Sequence, residues 1–160
     1  MESVIVSKDG LQIEDVLEKD GVYPSLTSGK SMRPLFKTHR DMVILEKCAS
    51  LPKKYDVVLY RFGDKYILHR VIGIDKERSL FIIRGDNTFK KEYVPFSKIL
   101  ARLVSFTRKG KHGSIEDRSY KIYSRLWLFI YPVRYAVNFC CRAAKKIFRF
   151  VFGKKPRQST

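Results

Sequence analysis

Apolar side chains at Ile13, Val16 and Leu17 recur three and four residues apart and stop before Asp20-Gly21, which predicts a short helix over residues 11–19. Residues 23–34 then read as a strand running into a turn, punctuated by Gly29 and Pro34. Beyond Arg40 the pattern changes. Residues 41–47, 55–62, 66–74, 79–84 and 99–107 are runs of β-branched and aromatic residues and predict strands. Phe62-Gly63-Asp64-Lys65 and Asp75-Lys76-Glu77-Arg78 read as tight connections between them. Short strands joined by tight turns predict a mainly antiparallel β domain, a coiled sheet or partial barrel. From about Ser119 the chain reads as helix, with Pro132 expected to kink or break it.

Charge divides the chain at the same place. The 160 residues carry a formal charge of +17, and the segment 119–160 supplies ten basic residues with no Asp or Glu. The remaining +7 is spread over residues 1–118, which hold all 16 acidic residues. The expected organisation is therefore a β domain over 1–118 followed by a basic, aromatic, amphipathic helical tail over 119–160. Arg125, Trp127, Arg134, Arg142, Lys145, Lys146 and Arg149 are the expected membrane-binding residues of that tail. Interspersed bulky aromatic residues favour an anionic membrane surface over nucleic acid, because they gain from burial in a headgroup layer. The longest uncharged run of the tail, Leu126–Val133, falls short of the roughly 20 residues a spanning helix needs. No signal peptide or spanning helix is expected at the N-terminus, so peripheral association, on the cytoplasmic face, is the expectation. Three cysteines, two of them adjacent (Cys140, Cys141) and one remote (Cys48), fit reduced thiols and not a disulfide scaffold. Neither cysteines nor histidines show paired ligand spacing, so no metal and no cofactor is expected.

Three residues carry candidate chemistry. Ser31 lies in a Gly- and Pro-punctuated turn, His69 in the middle of a strand, and Asp86 at a strand end. A serine is a weak nucleophile until a base accepts its proton, and a histidine base works best when a carboxylate fixes its tautomer. Gly29 just before Lys30-Ser31 would let backbone N–H groups turn toward an oxyanion.

The surroundings of these residues resemble a known family. Thr27-Ser28-Gly29-Lys30-Ser31-Met32-Arg33-Pro34 is similar to the nucleophile box of the signal peptidase I and LexA-type serine peptidases. Tyr55-Asp56-Val57-Val58-Leu59-Tyr60 resembles their Gly-Asp-Val-Val-x-Tyr strand, with Tyr55 where Gly is usual. Tyr66-Ile67-Leu68-His69-Arg70-Val71-Ile72-Gly73 resembles the general-base strand, and Gly85-Asp86-Asn87 the Gly-Asp-Asn box. The four segments follow the family's order within residues 25–104. The resemblance implies a strongly coiled antiparallel β-sheet domain, Ser31 as nucleophile, and His69 as general base, as in the archaeal and endoplasmic-reticulum type of signal peptidase. It implies Asp86 as the carboxylate orienting His69, with Glu92 as a second candidate. The N–H groups of Lys30 and Ser31 would form the oxyanion hole, since the box lacks the hydroxyl two residues before the nucleophile. A serine endopeptidase that cleaves leader or signal-like peptides at small residues is the expected activity, with a peptide or precursor protein as substrate.

Two other readings compete. One is a non-catalytic membrane- or nucleic-acid-binding module on a peptidase-like scaffold. The other is a self-cleaving LexA-like regulator, weakened by the lack of a helix-turn-helix before the Ser box, of a Lys base and of an Ala-Gly or Cys-Gly site. Asp41 reads as structural, and His39 and His112 as solvated. Oligomeric state has no sequence signal.

Overall fold

The computed structural model describes residues 4–5 and 12–152, with side chains described over 12–148. Among the described residues nine strands form one antiparallel sheet. They are β1 (Val4–Ile5), β2 (Val22–Leu26), β3 (Met42–Lys47), β4 (Val57–Phe62), β5 (Lys65–Asp75), β6 (Leu80–Arg84), β7 (Glu92–Pro95), β8 (Ile99–Arg108) and β9 (Lys111–Ser114). The main path runs β2-β3-β8-β4-β5-β6-β7, with β1 on β5 and β9 on β8. Helices α1 (Ile13–Asp20), α2 (Arg118–Phe129) and α3 (Tyr131–Phe152) complete the chain.

The sheet is mainly antiparallel as expected, but it is neither strongly coiled nor closed. The two ends of the path, β2 and β7, are five and four residues long and are not paired with each other. Bending is instead local, at register shifts between Ile44 and Leu45, Leu59 and Tyr60, and Val71 and Gly73.

The first helix forms where the apolar spacing placed it. Glu14 and Asp15 lie in its first turn and Lys19 in its last, each matched to the helix dipole. Gly21 ends it at φ 72°, donating its N–H to the Leu17 carbonyl at 3.1 Å.

Strands β4 and β5 are buried on both faces, so alternate residues enter two separate cores. Val57, Leu59 and Leu68 join α1 (Ile13, Leu17), Val43, Leu45, Leu103 and Tyr120 in the larger one. Val58, Tyr60, Ile67 and Val71 join Phe81, Ile83 and Val94 in the other.

The boundary between β domain and tail lies later than expected. The chain divides into compact units 1–125 and 126–160, not at residue 118. The reason is that the first two turns of α2 belong to the domain, where Tyr120 and Ser124 are buried at 7 % and 1 % exposure. The tail is broken next to Pro132, as expected. The interruption falls at Ile130, and Pro132 sits in the first turn of α3, where its missing N–H costs no helical bond.

Candidate active site

The Ser31 segment is a loop closed at its base. Thr27 and Asp41 bracket it: Thr27 N–H donates to the Asp41 carbonyl at 3.1 Å, and Thr27 Oγ1 donates to the carbonyls of Lys37 and Asp41. The buried Asp41 carboxylate accepts from Lys37 N–H at 2.8 Å and from both Nε and Nη2 of Arg40, which supports its structural reading. Within the loop Gly29 takes φ 88°, a left-handed conformation that turns the chain into Lys30-Ser31. Met32, Leu35 and Phe36, all buried in the larger core, pin the turn that follows.

Ser31 and His69 meet. Ser31 Oγ lies 2.9 Å from His69 Nε2. On the other side of the ring, His69 Nδ1 lies 3.1 Å from Glu92 Oε2 and 3.2 Å from the Tyr60 hydroxyl. Tyr60 also donates a hydrogen bond to the same Glu92 oxygen. An ionised carboxylate can only accept, so Glu92 selects the tautomer with the proton on Nδ1 and leaves Nε2 to accept from Ser31. Burial alone would raise the Glu92 pKa. The hydrogen bonds from His69 and Tyr60 outweigh it and hold the carboxyl below its usual range.

Asp86 is placed elsewhere. Its two carboxylate oxygens accept from Arg70 Nε at 2.7 Å and Arg70 Nη2 at 2.8 Å, and one also accepts from the Tyr123 hydroxyl at 3.1 Å. The carboxylate against His69 is therefore Glu92 and not Asp86, and sheet register supplies the reason. Arg70 faces Arg84 across β5 and β6, and Asp86 follows two residues beyond on the same face. Val71 faces Ile83, which faces Glu92, so Glu92 shares the opposite face with His69. The loop of Gly85-Asp86-Asn87 still contributes to the site. Asn87 N–H donates to the Ser31 carbonyl at 2.6 Å, and Asn87 Nδ2 donates to the Lys30 carbonyl at 3.3 Å.

Comparison with protein-family models, with curated proteins and with solved structures gives no match in any of the three. The chemistry of the site therefore rests on its own geometry.

Two residues of the site were not singled out from sequence. Tyr60 is one; Val58 faces His69 across β4 and β5, so Tyr60, two residues on, is its diagonal neighbour on the same face. Arg70 is the other, fully buried and next to His69 in β5. Burial opposes its charge, but Asp86 outweighs that and keeps the guanidinium protonated. Arg70 Nη1 further donates to the Tyr55 carbonyl and to Ser124 Oγ, both at 2.9 Å, joining β4's approach, β5 and α2. Tyr55, at the position where the resembling family has Gly, takes φ 85°, the backbone region that glycine enters without strain.

The remaining expectations fall away from this centre. His39 and His112 are exposed. Burial raises the Cys48 thiol to about 11, which removes it as a thiolate nucleophile, and no metal-binding cluster occurs among the described residues. In the tail, Arg125, Arg142, Lys145 and Lys146 are exposed, and Arg134 stacks on the Trp127 ring at 3.8 Å. The side chain of Arg149 lies outside the described residues. No described helix is long and apolar enough to cross a membrane.

The depressed Glu92 pKa has a measurable sign. A carboxyl whose folded pKa is lowered stabilises the fold above its ordinary pKa of about 4.5, and that contribution disappears as pH falls through the lowered value. Thermal melts taken from pH 6 downward should show the wild type losing an increment below about pH 4.5 that Glu92→Gln never had. Parallel curves for the two proteins through that window would contradict the assignment.

Proposed function

We propose that this protein is a serine endopeptidase in which Ser31 attacks a peptide carbonyl, His69 takes the serine proton, and Glu92 with Tyr60 orients His69. The observation that supports this reading most is the unbroken chain Ser31 Oγ–His69 Nε2, His69 Nδ1–Glu92 Oε2, at 2.9 and 3.1 Å. The four sequence segments that resemble the signal peptidase and LexA-type peptidases also converge on it. Ser31, Tyr60 and His69 supply one segment each, and the fourth lies over the serine through Asn87. On this reading the domain is a variant of that family's fold whose antiparallel sheet is not strongly coiled.

The reaction balances without a cofactor. As the Ser31 oxygen bonds the carbonyl carbon, its proton passes to His69 Nε2, and charge develops on the carbonyl oxygen. The N–H groups of Lys30 and Ser31 are the proposed donors to that oxygen. Collapse expels the amine, which takes the proton from His69 Nε2. Water then attacks the ester and gives one proton to His69 Nε2; the bond to Ser31 Oγ breaks, that oxygen takes the proton back, and the acid leaves. The orienting role stays with a carboxylate of adequate reach: Glu is one methylene longer than Asp and extends from β7 to the ring. A leader or signal-like peptide cut at a small residue is the proposed substrate.

Ser31 and His69 are each only 1 % exposed, so a peptide must displace covering chain before it reaches them. A small peptidyl fluorophosphonate carrying alanine next to the warhead tests the chemistry directly. One adduct per chain, mapped to Ser31 by peptide mass spectrometry, is expected, and it should vanish in Ser31→Ala and in His69→Ala. A folded wild-type protein that gains no adduct over prolonged incubation, or gains one at another residue, overturns the proposal.

A further inference from the structure

With the start of α3 fixed at Tyr131, the tail acquires a sharp division that a helix counted from Ser119 blurs. At about 100° per residue, Arg134, Asn138, Arg142, Lys145 and Lys146 fall within an arc of about 120°. The rest of the helix surface over 133–148 carries no charge, and Val133, Val137, Phe139 and Ile147 on it are 58–66 % exposed. Exposed apolar side chains spaced along four turns of one face, from Val133 to Ile147, mark an interaction surface. Its flanking charge states which kind, because α3 holds basic residues and no acidic one. A protein groove would offer the apolar contact without needing the basic arc. Nucleic acid would take the charge and leave the apolar face in water. An anionic bilayer surface satisfies both faces, with apolar side chains at the acyl boundary and Lys and Arg among the headgroups.

We propose that α3 lies in the interface plane of an anionic membrane, its Val133–Ile147 face in the acyl boundary and its Arg134–Lys146 face among lipid phosphates. The proposal is independent of Ser31 chemistry and stands or falls without it. Trp127 is the single tryptophan of the chain and sits against Arg134 of this helix, so its fluorescence reports the event.

The full chain is titrated with vesicles of phosphatidylcholine alone and with vesicles containing phosphatidylglycerol. Binding by co-sedimentation and a blue shift of Trp127 are expected with the anionic vesicles and not with the neutral ones. Replacing apolar side chains at constant charge (Val137→Ser, Phe139→Ser, Ile147→Ser) should weaken binding by about a hundredfold. Neutralising the basic face (Arg142→Gln, Lys145→Gln, Lys146→Gln) should weaken it by a similar factor, at about fivefold per charge. Unchanged fluorophosphonate labelling or melting of the domain in both sets shows that the fold is intact. Vesicle binding that survives the serine set overturns the proposal, and so does preferential binding of a duplex RNA that the serine set leaves untouched.

Discussion

Gly85→Ala should abolish labelling of Ser31 while the sheet still assembles. A Cβ at residue 85 would stand 2.8 Å from the Ser31 carbonyl oxygen, 2.9 Å from His69 Nε2 and 2.9 Å from Ser31 Cβ. None of the three is the loose end of a side chain: one is backbone, and the others belong to the hydrogen-bonded pair Ser31 and His69. The added methyl must push serine and imidazole apart or lift the 85–87 loop off the serine. A misplacement of about 1 Å in a reacting pair costs about a hundredfold in rate, so the labelling rate should drop by at least that factor. Gly73→Ala is the comparison. Its Cβ meets only the Ile82 side chain, at 3.3 Å from Cδ1, which can turn away. Labelling of Gly73→Ala should stay within a few-fold of wild type. If Gly85→Ala labels as fast as Gly73→Ala, residue 85 does not bear on the pair.

The second large effect concerns stability. Arg70 and Asp86 have side chains 0 % and 1 % exposed, and every described bond of that guanidinium is to a protein group. Removing one partner leaves the other as a charge out of water, a loss of about 3–5 kcal/mol. Arg70→Met leaves the Asp86 carboxylate beside Tyr123, whose hydroxyl burial and the Asp86 charge already hold protonated. Asp86→Leu leaves the guanidinium with only neutral acceptors. At about 2–4 °C per kcal/mol for a chain of this size, each single variant should melt roughly 6–20 °C below wild type. The double variant Arg70→Met with Asp86→Leu should recover part of that loss, because no buried charge is left unpaired. It should not recover all, since the Tyr55 carbonyl and Ser124 lose their donor. Equal melting of single and double variants would mean that the pair is not coupled.

The strands were legible because their apolar runs are long and their turns are marked. Residues 79–84 and 99–107, for example, differ from β6 and β8 by one residue at one end. β7 and β9 were not, being four residues each with Pro95 and Gly113 inside them and little alternation to count. Ser31 and His69 were legible as a pair through the segments around them. The carboxylate was not, because choosing between Asp86 and Glu92 requires the register of β5, β6 and β7, which no single strand carries. Arg70 was invisible for a simpler reason. Arginine is ordinarily a surface residue, and only the coincidence of Asp86, the Tyr55 carbonyl and Ser124 around it makes burial tolerable. The charge asymmetry placed the change of character near residue 119, but charge says nothing of Tyr120 and Ser124, which draw α2 into the domain.

The seclusion of Ser31 and His69 makes the proposed peptidase a gated one. Any affinity measured for a peptide is the intrinsic affinity of the open form scaled down by the fraction of time that form is populated. A chain that stays shut for most of its life is a poor scavenger of passing polypeptides. Selectivity then resides as much in which substrate can hold the door open as in which residue flanks the cut.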